Sequence, residues 1–456
     1  MTIQIQNKTT PPHLLSRVAK LALPVALQSA LVAILALADV IMVSDFGKEA
    51  TAAVGIASKW HFVAIMIMAG LSTANGILVS QYWGKNDSAS AKTVSLMAVR
   101  MGAWIILPVT AVITLASPLI MQLQTSDSAV IELGSDYLWF GFPVLILTHI
   151  VLVIESSMRS SNDAMTPLYM GSVTIFLNIG LNFWLIKGGL GIEAMGVAGA
   201  ALATTLARVA QVLMMLAYMK KTNHWLLRSK ILTQQDKLAV SFKKMAIPTS
   251  SNAFLWAMGT LTYQMIIGHM GTTELAVFSM LGPFEGLCYS AFFGIATACS
   301  VITGQSLGKD DFSEAINNSR FFLKLVFCVG ISLSSVLLLE RDLLLSWLNL
   351  KSSEYYVYAL PAISVLCAAI WLRMLNLIII NGILRAGGET RFCLRMDFIA
   401  MWLVGIPLTA YGAFIAEWSF TWVYLLIVSE EIVKFSLCFH RYLQLKWVNN
   451  LTLAHN

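Results

Sequence analysis

Asp39 sits in the run ILALADVIMV, an acid with apolar neighbours on both sides. Insertion scales place a central Asp, Lys or Arg in a spanning helix at about 2.5–3.5 kcal/mol, so such a residue is a functional candidate by default. Three other polar side chains are suited to share its work. Asn178 and Asn182 lie four apart in TIFLNIGLNFWLI and occupy one helix face. Thr204, or its neighbour Thr205, offers a hydroxyl in GVAGAALATTLARV, a run whose small residues let helices approach closely. A carboxylate, two amides and a hydroxyl form a set of oxygens able to hold a sodium ion or to stabilise a protonated acid. Pro24, fifteen residues before Asp39, removes a backbone hydrogen bond from the same helix and is the candidate bend.

Other ionisable residues also fall within apolar stretches. Glu285 and Arg373 make a candidate polar site in the second half of the chain, with Asp397, Glu430 and Glu431 further along. Glu155, His269 and Lys434 lie near the ends of their stretches, where anchoring at the membrane surface is the expected role. The six cysteines form no CxxC pair and no Cys/His metal spacing, so they are expected to be small buried hydrophobes. No HExxH motif and no pair of close intramembrane aspartates is present, so no enzyme is expected.

The elements that must position these residues are membrane helices. The chain is 57% apolar and only 12% charged, against about 25% charge in a soluble domain. Twelve apolar stretches, each long enough to cross a bilayer as a helix, run from about residue 16 to about residue 440. Among them are single stretches over 131–157, 355–384 and 393–415. The expected fold is therefore an all-α polytopic membrane protein with twelve transmembrane helices in two pseudo-symmetric six-helix lobes. Residues 20–91 recur at 244–315 with a constant offset of 224 and no gap. Lys20, Ala22, Pro24, Gly47, Gln81, Gly84, Lys85 and Asp87 all have identical partners in the second copy. One charge is broken, since Asp39 pairs with Tyr263.

Of the 30 lysines and arginines, only Lys48, Lys187, Arg341 and Lys351 fall on the side opposite the basic loops. That bias predicts a multi-pass protein of the cell inner membrane with both termini cytoplasmic. It also accounts for the net charge of +6 without a nucleic-acid partner. Six spans per half make a parallel repeat. The expected organisation is a lobe over 1–219, a polar connection over 220–243 and a second lobe over 244–456.

The double six-helix layout resembles the multidrug and toxic compound extrusion (MATE) transporters, in the bacterial NorM-like branch. So do Pro24 with Asp39, the Gln81-Tyr82-Trp83-Gly84 and Gln305-Ser306-Leu307-Gly308 turns, the Asn178/Asn182 pair and the GAALAT run at 199–204. The resemblance covers essentially residues 10–445. It implies a V-shaped pair of bundles that export organic, often cationic, drugs in exchange for protons or sodium by alternating access. It places the cation site at Asp39, Asn178 and Thr204, with Asn182 where some members carry an aspartate. The acids that some relatives carry on spans seven and ten are absent here, where Trp256 and Met374 stand. Proton coupling through Asp39 is thus preferred, with sodium at Asp39, Asn178 and Thr204 as the alternative. No cofactor beyond that ion is expected; the partners are small-molecule drugs and membrane lipid, and the chain is expected to be a monomer. A flippase for lipid-linked saccharides is the rival reading, and it would need basic residues facing a cavity. Only Arg208 and Arg373 lie deep enough.

Overall fold

The structure is a computed structural model that describes residues 14–453 except 190, 192, 233–235, 349 and 352. In the first half, the long helices are α1 (Leu14–Ser44), α2 (Lys48–Gly84), α3 (Ser88–Leu115), α4 (Ser128–Phe140 and Phe142–Ser160), α5 (Met165–Lys187) and α6 (Gly196–Lys221). In the second half they are α7 (Asp236–Met270), α8 (Thr272–Gly308), α9 (Phe312–Leu339), α10 (Ser353–Leu377, continued as Ile378–Leu384), α11 (Thr390–Asp397, Phe398–Gly405 and Ile406–Phe414) and α12 (Phe420–Leu443). Among the described residues, ten helices are long and apolar enough to cross a membrane. Helix α7, which is more polar, and helix α12, which carries Glu430, Glu431 and Lys434, complete twelve among the described residues.

Three stretches that read as single helices are locally altered. The 131–157 stretch is broken at Gly141, where Pro143 opens the second segment in place of a continuing backbone donor. Within 355–384 and 393–415, Ile378–Leu384 and Phe398–Gly405 widen to π-helix. Neither widened segment carries a proline, and hydropathy is blind to a change of helical pitch.

The repeat is visible as geometry. Helices α2 and α8 have bounds 224 residues apart at both ends, and so do α3 and α9. The intervening turns match too. Asp87 accepts from Ser90 N at 3.0 Å, and Asp311 accepts from Glu314 N at 2.9 Å. Each side chain satisfies one of the free amides at a helix start. Asn86 and Asp310, one residue earlier, both adopt φ +62°, a left-handed conformation that Asn and Asp tolerate better than other side chains.

The contacts group the chain into two units. Of the described residues, one contains 14–26 and 251–453; the other is Leu27–Ser250. The chain therefore changes unit inside α1 and inside α7, at points 224 residues apart. In the Leu27–Ser250 unit, Gly70 of α2 lies against Thr249 and Ser250 of α7. In the other unit its repeat partner Gly294 of α8 lies against Ala22 and Ala26 of α1. A Cβ at either glycine would strike the facing backbone, so the absence of a side chain sets both approaches. Pro24 lies inside α1, two residues before the first change of unit.

Each unit has its own core. In Leu27–Ser250, Met68, Ile106, Met121, Leu138 and Leu145 pack together from α2, α3, α4 and a short helix at Ser117–Gln122. In the other unit, Ile267, Leu281, Ile363, Leu366 and Val423 do the same from α7, α8, α10 and α12. The polar connection is tied to the first of these by Lys92 of α3. Its ammonium donates to Leu227 O at 2.7 Å and to Ser229 O at 2.8 Å. Among the cysteines, Cys299, Cys367, Cys393 and Cys438 are buried as expected. Cys288 is half-buried and Cys328 is exposed, which corrects the expectation for those two.

Candidate functional site

Within the Leu27–Ser250 unit, α1, α5 and α6 bring the four polar side chains into one chain of hydrogen bonds. Asn182 Nδ2 donates to Asp39 Oδ1 at 2.6 Å and to Asn178 Oδ1 at 3.0 Å. Asn178 Nδ2 donates to Thr204 Oγ1 at 3.2 Å. The Thr204 hydroxyl donates back to Ala200 O at 3.0 Å. Thr205 points elsewhere and donates to Phe140 O at 3.1 Å, so Thr204 alone supplies the hydroxyl. Spacing explains the local part: a four-residue step places both asparagines on one face of α5. Small residues explain the rest, since Gly199 of α6 packs within van der Waals distance of the Leu185 and Ile186 backbone of α5.

Asn182 is fully buried, and its Oδ1 has no hydrogen-bond partner among the described residues. Turning the amide over would bring that oxygen against Asp39 and Asn178 Oδ1, both acceptors, so the orientation is set by its neighbours. A buried acceptor beside a carboxylate fits a proton or a small monovalent cation. With one carboxylate and neutral oxygens, the donor set suits a singly charged ion better than a divalent one. Residues Asp39, Asn178, Asn182 and Thr204 are those that would hold it.

A second polar chain adjoins the first. Arg208, one turn along α6 from Thr204, acts electrostatically on both Asp39 and Glu155. Its guanidinium donates to Gln211 Oε1 at 2.7 Å, and Gln211 Nε2 lies 3.4 Å from Glu155 Oε1. Gln28 of α1 donates to the same Glu155 oxygen at 2.8 Å, and Arg159 lies 3.4 Å from the other. Glu155 is only 4% exposed, so it is a buried network member and not a surface anchor. Its position near a helix end gives no sign of this, because hydropathy does not show which helices cover that end.

In the other unit, Glu285 of α8 and Arg373 of α10 form an ion pair with each other. Lys434, also expected at the membrane surface, is 6% exposed and sits among Glu430, Glu431 and Asp397. That corrects its assignment: the i,i+4 pair Glu430/Lys434 was the signal that α12 carries a neutralised charge inward. His269 is exposed; its ring hydrogen-bonds Met265 O at 2.8 Å and meets Phe414 edge-on.

Comparison with known proteins agrees with this frame. The MatE family profile matches residues 24–184 and 248–411, two blocks whose starts are one repeat apart. The uncharacterized transporter YisQ of Bacillus subtilis is 22% identical over 431 residues, covering 93% of each chain. The probable multidrug resistance protein NorM of Thermotoga maritima is 21% identical over 450 residues, covering 98% of this chain and 96% of that one. Among solved structures, a MATE protein crystallised in complex with MaL6 superposes with a TM-score of 0.85 at 17% identity, over 97% of this chain and 99% of that chain. With paired blocks that together span more than half of its length, the chain belongs to the MatE family.

Proposed function

We propose that the protein is a multidrug efflux antiporter that exports organic, often cationic, compounds in exchange for protons bound at Asp39. The observation that carries this reading is the Asp39–Asn182–Asn178–Thr204 chain with the unpartnered Asn182 Oδ1 beside the acid. Supporting it are the NorM and multidrug resistance names of several relatives. The basic loops support an inner-membrane placement with both termini cytoplasmic.

In this mechanism Asp39 takes a proton in the outward-facing state and loses it on the cytoplasmic side. Protonation removes the negative charge that Asn182 and Arg208 face, which alters the balance of forces on α1. Pro24, with no backbone N–H, gives that helix a place to bend. Sodium held by Asp39, Asn178 and Thr204 would exert the same charge effect and is the alternative ion. One charge moving through 100 mV yields about 2.3 kcal/mol, enough for roughly a fiftyfold drug gradient.

Drug efflux from vesicles with imposed proton or sodium gradients tests transport and coupling together. Proton-driven efflux is expected; efflux that follows sodium alone would overturn the proton assignment, and no efflux under either gradient would overturn the transport reading. The flippase reading gains nothing from the two deep arginines, since Arg208 is engaged with Gln211 and Arg373 with Glu285.

A further inference from the structure

The internal repeat continues past the last helix of each half. Helix α6 ends at Lys221 and α12 at Leu443. Two residues beyond each end the backbone turns left-handed, at Asn223 with φ +49° and at Leu445 with φ +53°. Asparagine tolerates that conformation, whereas leucine adopts it only where its surroundings hold it there. Four residues beyond each helix end stands a tryptophan, Trp225 in the first half and Trp447 in the second. The segment 222–232 belongs to the Leu27–Ser250 unit, and 444–453 belongs to the other.

The two tryptophans meet equivalent residues. Ser161, in the α4–α5 turn, lies two residues past Arg159, and Gly387, in the α10–α11 turn, lies two past Arg385. Each is followed by a residue of positive φ, Asn162 at +69° and Gly388 at +88°. Trp225 Nε1 donates to Ser161 Oγ at 3.1 Å. The Trp447 backbone lies directly on Gly387, where an added Cβ would strike Trp447 O. The same pair of positions is thus joined by a side-chain hydrogen bond in one unit and by backbone packing in the other. Trp447 is fully buried, stacks on Tyr442 with ring centroids 5.9 Å apart, and donates from Nε1 to Tyr442 O at 3.2 Å. A buried indole with its N–H satisfied is a strong anchor.

Each segment also reaches the other turn at the same end of its unit. In the first half the Trp225 ring lies 5.2 Å from that of Trp83, at the end of α2. Ser229 Oγ donates to Ser88 Oγ at 3.0 Å, and Thr93 Oγ1 accepts from Leu232 N at 3.1 Å. With the two carbonyls held by Lys92, the segment is fastened across the start of α3. In the second half Asn450 Nδ2 donates to Asp310 Oδ1 at 2.8 Å and lies 3.4 Å from Gly308 O, both in the α8–α9 turn. Asn450 Oδ1 accepts from Thr452 N at 2.8 Å, which fixes the amide. Both segments therefore bridge two helix turns that are far apart in sequence.

We propose that residues 222–232 and 444–453 are two copies of one conformational device, a strap that locks together the two turns at one end of its own unit. The C-terminal segment is then a working part of the second unit and the counterpart of the polar connection, not a loose tail. With its turns strapped, that end of each unit responds as one body; without the strap, the helix pairs on either side open separately. The inference does not depend on the compound carried or on the coupling ion.

Hydrogen–deuterium exchange of the full-length protein in lipid nanodiscs, read by mass spectrometry, follows each turn separately. Gly387→Ala drives a Cβ into the Trp447 backbone, and because φ at Gly387 is not positive, alanine there is opposed by the strap alone. Trp225→Ala removes the ring and the N–H that hold the other strap. Gly387→Ala is expected to raise exchange severalfold at 308–311 and 385–389 as well as at 444–453, with 85–88 and 159–163 unchanged. Trp225→Ala is expected to do the reverse. Removal of residues 445–456 leaves the α10–α11 turn untouched and should reproduce the Gly387→Ala pattern. A rise confined to the freed segment would make the strap a passenger on an end that is rigid without it. That result, a rise in both units from either variant, or no change in any of the three proteins would each overturn the proposal.

Discussion

Asn182 holds Asp39 with a 2.6 Å hydrogen bond from one end of its amide and leaves the other end, Oδ1, without a partner. One side chain thus stabilises the ionised acid and keeps an acceptor free for whatever replaces the charge. Asp39→Asn retains size and polarity but cannot change charge. Proton-driven drug efflux from vesicles is expected to fall to background in this variant, with expression and melting behaviour near those of the wild type. Efflux at the wild-type rate would remove Asp39 from the coupling step.

Asn182→Asp puts a second carboxylate where the amide now donates. Two carboxylates at hydrogen-bonding distance cannot both stay ionised without a shared cation. Sodium is therefore expected to stimulate efflux by the variant more than by the wild type, and the measurement is efflux at fixed pH across a sodium series. Equal sodium responses would mean that the Asn182 amide has no part in choosing the ion.

The sequence carried much of this fold, because a gapless repeat transmits helix bounds as well as residue identities. The ends of α2 predict the ends of α8, and Asp87 predicts the cap at Asp311. The asparagine pair was legible for a similar reason, since a four-residue spacing is a local property of one helix. The cluster around Lys434 was not legible. Its members come from α7, α10, α11 and α12, and no periodicity links Asn252 to its partner Asp397 or Asn376 to its partner Glu431. Tyr263 reads as a lost charge, yet its hydroxyl donates to the carboxylate of Glu430, 167 residues away in sequence.

Lys434 is the shared cation of three carboxylates, and its removal should be costly. Lys434→Met keeps most of the stem but leaves Glu430, Glu431 and Asp397 without it. Breaking a buried ion pair from one side costs about 3–5 kcal/mol. A marked drop in melting temperature in detergent is expected, and Lys434→Met combined with Glu430→Gln should be less damaging than the two losses added together. Additive losses would show that the pair is not energetically coupled.

His224 gives a pH dependence outside the spans. Burial holds its imidazole below the usual range, with Asp163 acting the other way. The neutral ring accepts from Leu226 N at 3.3 Å and caps the short helix Trp225–Arg228. Between its folded value and the ordinary value of about 6.5, the unfolded chain binds more protons than the folded one. The stabilisation is therefore complete above that ordinary value and is lost as the pH falls through the window. His224→Asn keeps a capping acceptor that does not titrate. Its melting temperature should decline less on acidification than that of the wild type; parallel declines would assign the acid sensitivity to other groups.

Gly70 and Gly294 make the same demand in the two units. A Cβ at position 70 would lie 2.6 Å from Ser250 N and 2.7 Å from Thr249 O, and one at 294 would lie 2.9 Å from Ala26 N. The obstacles are backbone atoms of α7 and α1, so no side-chain rotation relieves them. Gly70→Ala and Gly294→Ala should each cost about 1–3 kcal/mol by forcing a helix outward. Both contacts lie beside the points where the chain changes unit, so efflux should fall more than stability alone explains. Gly55 and Gly180 have nothing within 4 Å of an added Cβ and serve as controls. Alanine at either should be neutral or stabilise by about 0.5–1 kcal/mol through the unfolded chain. If all four variants behave alike in melting and transport, close approach at Gly70 and Gly294 is not what limits either.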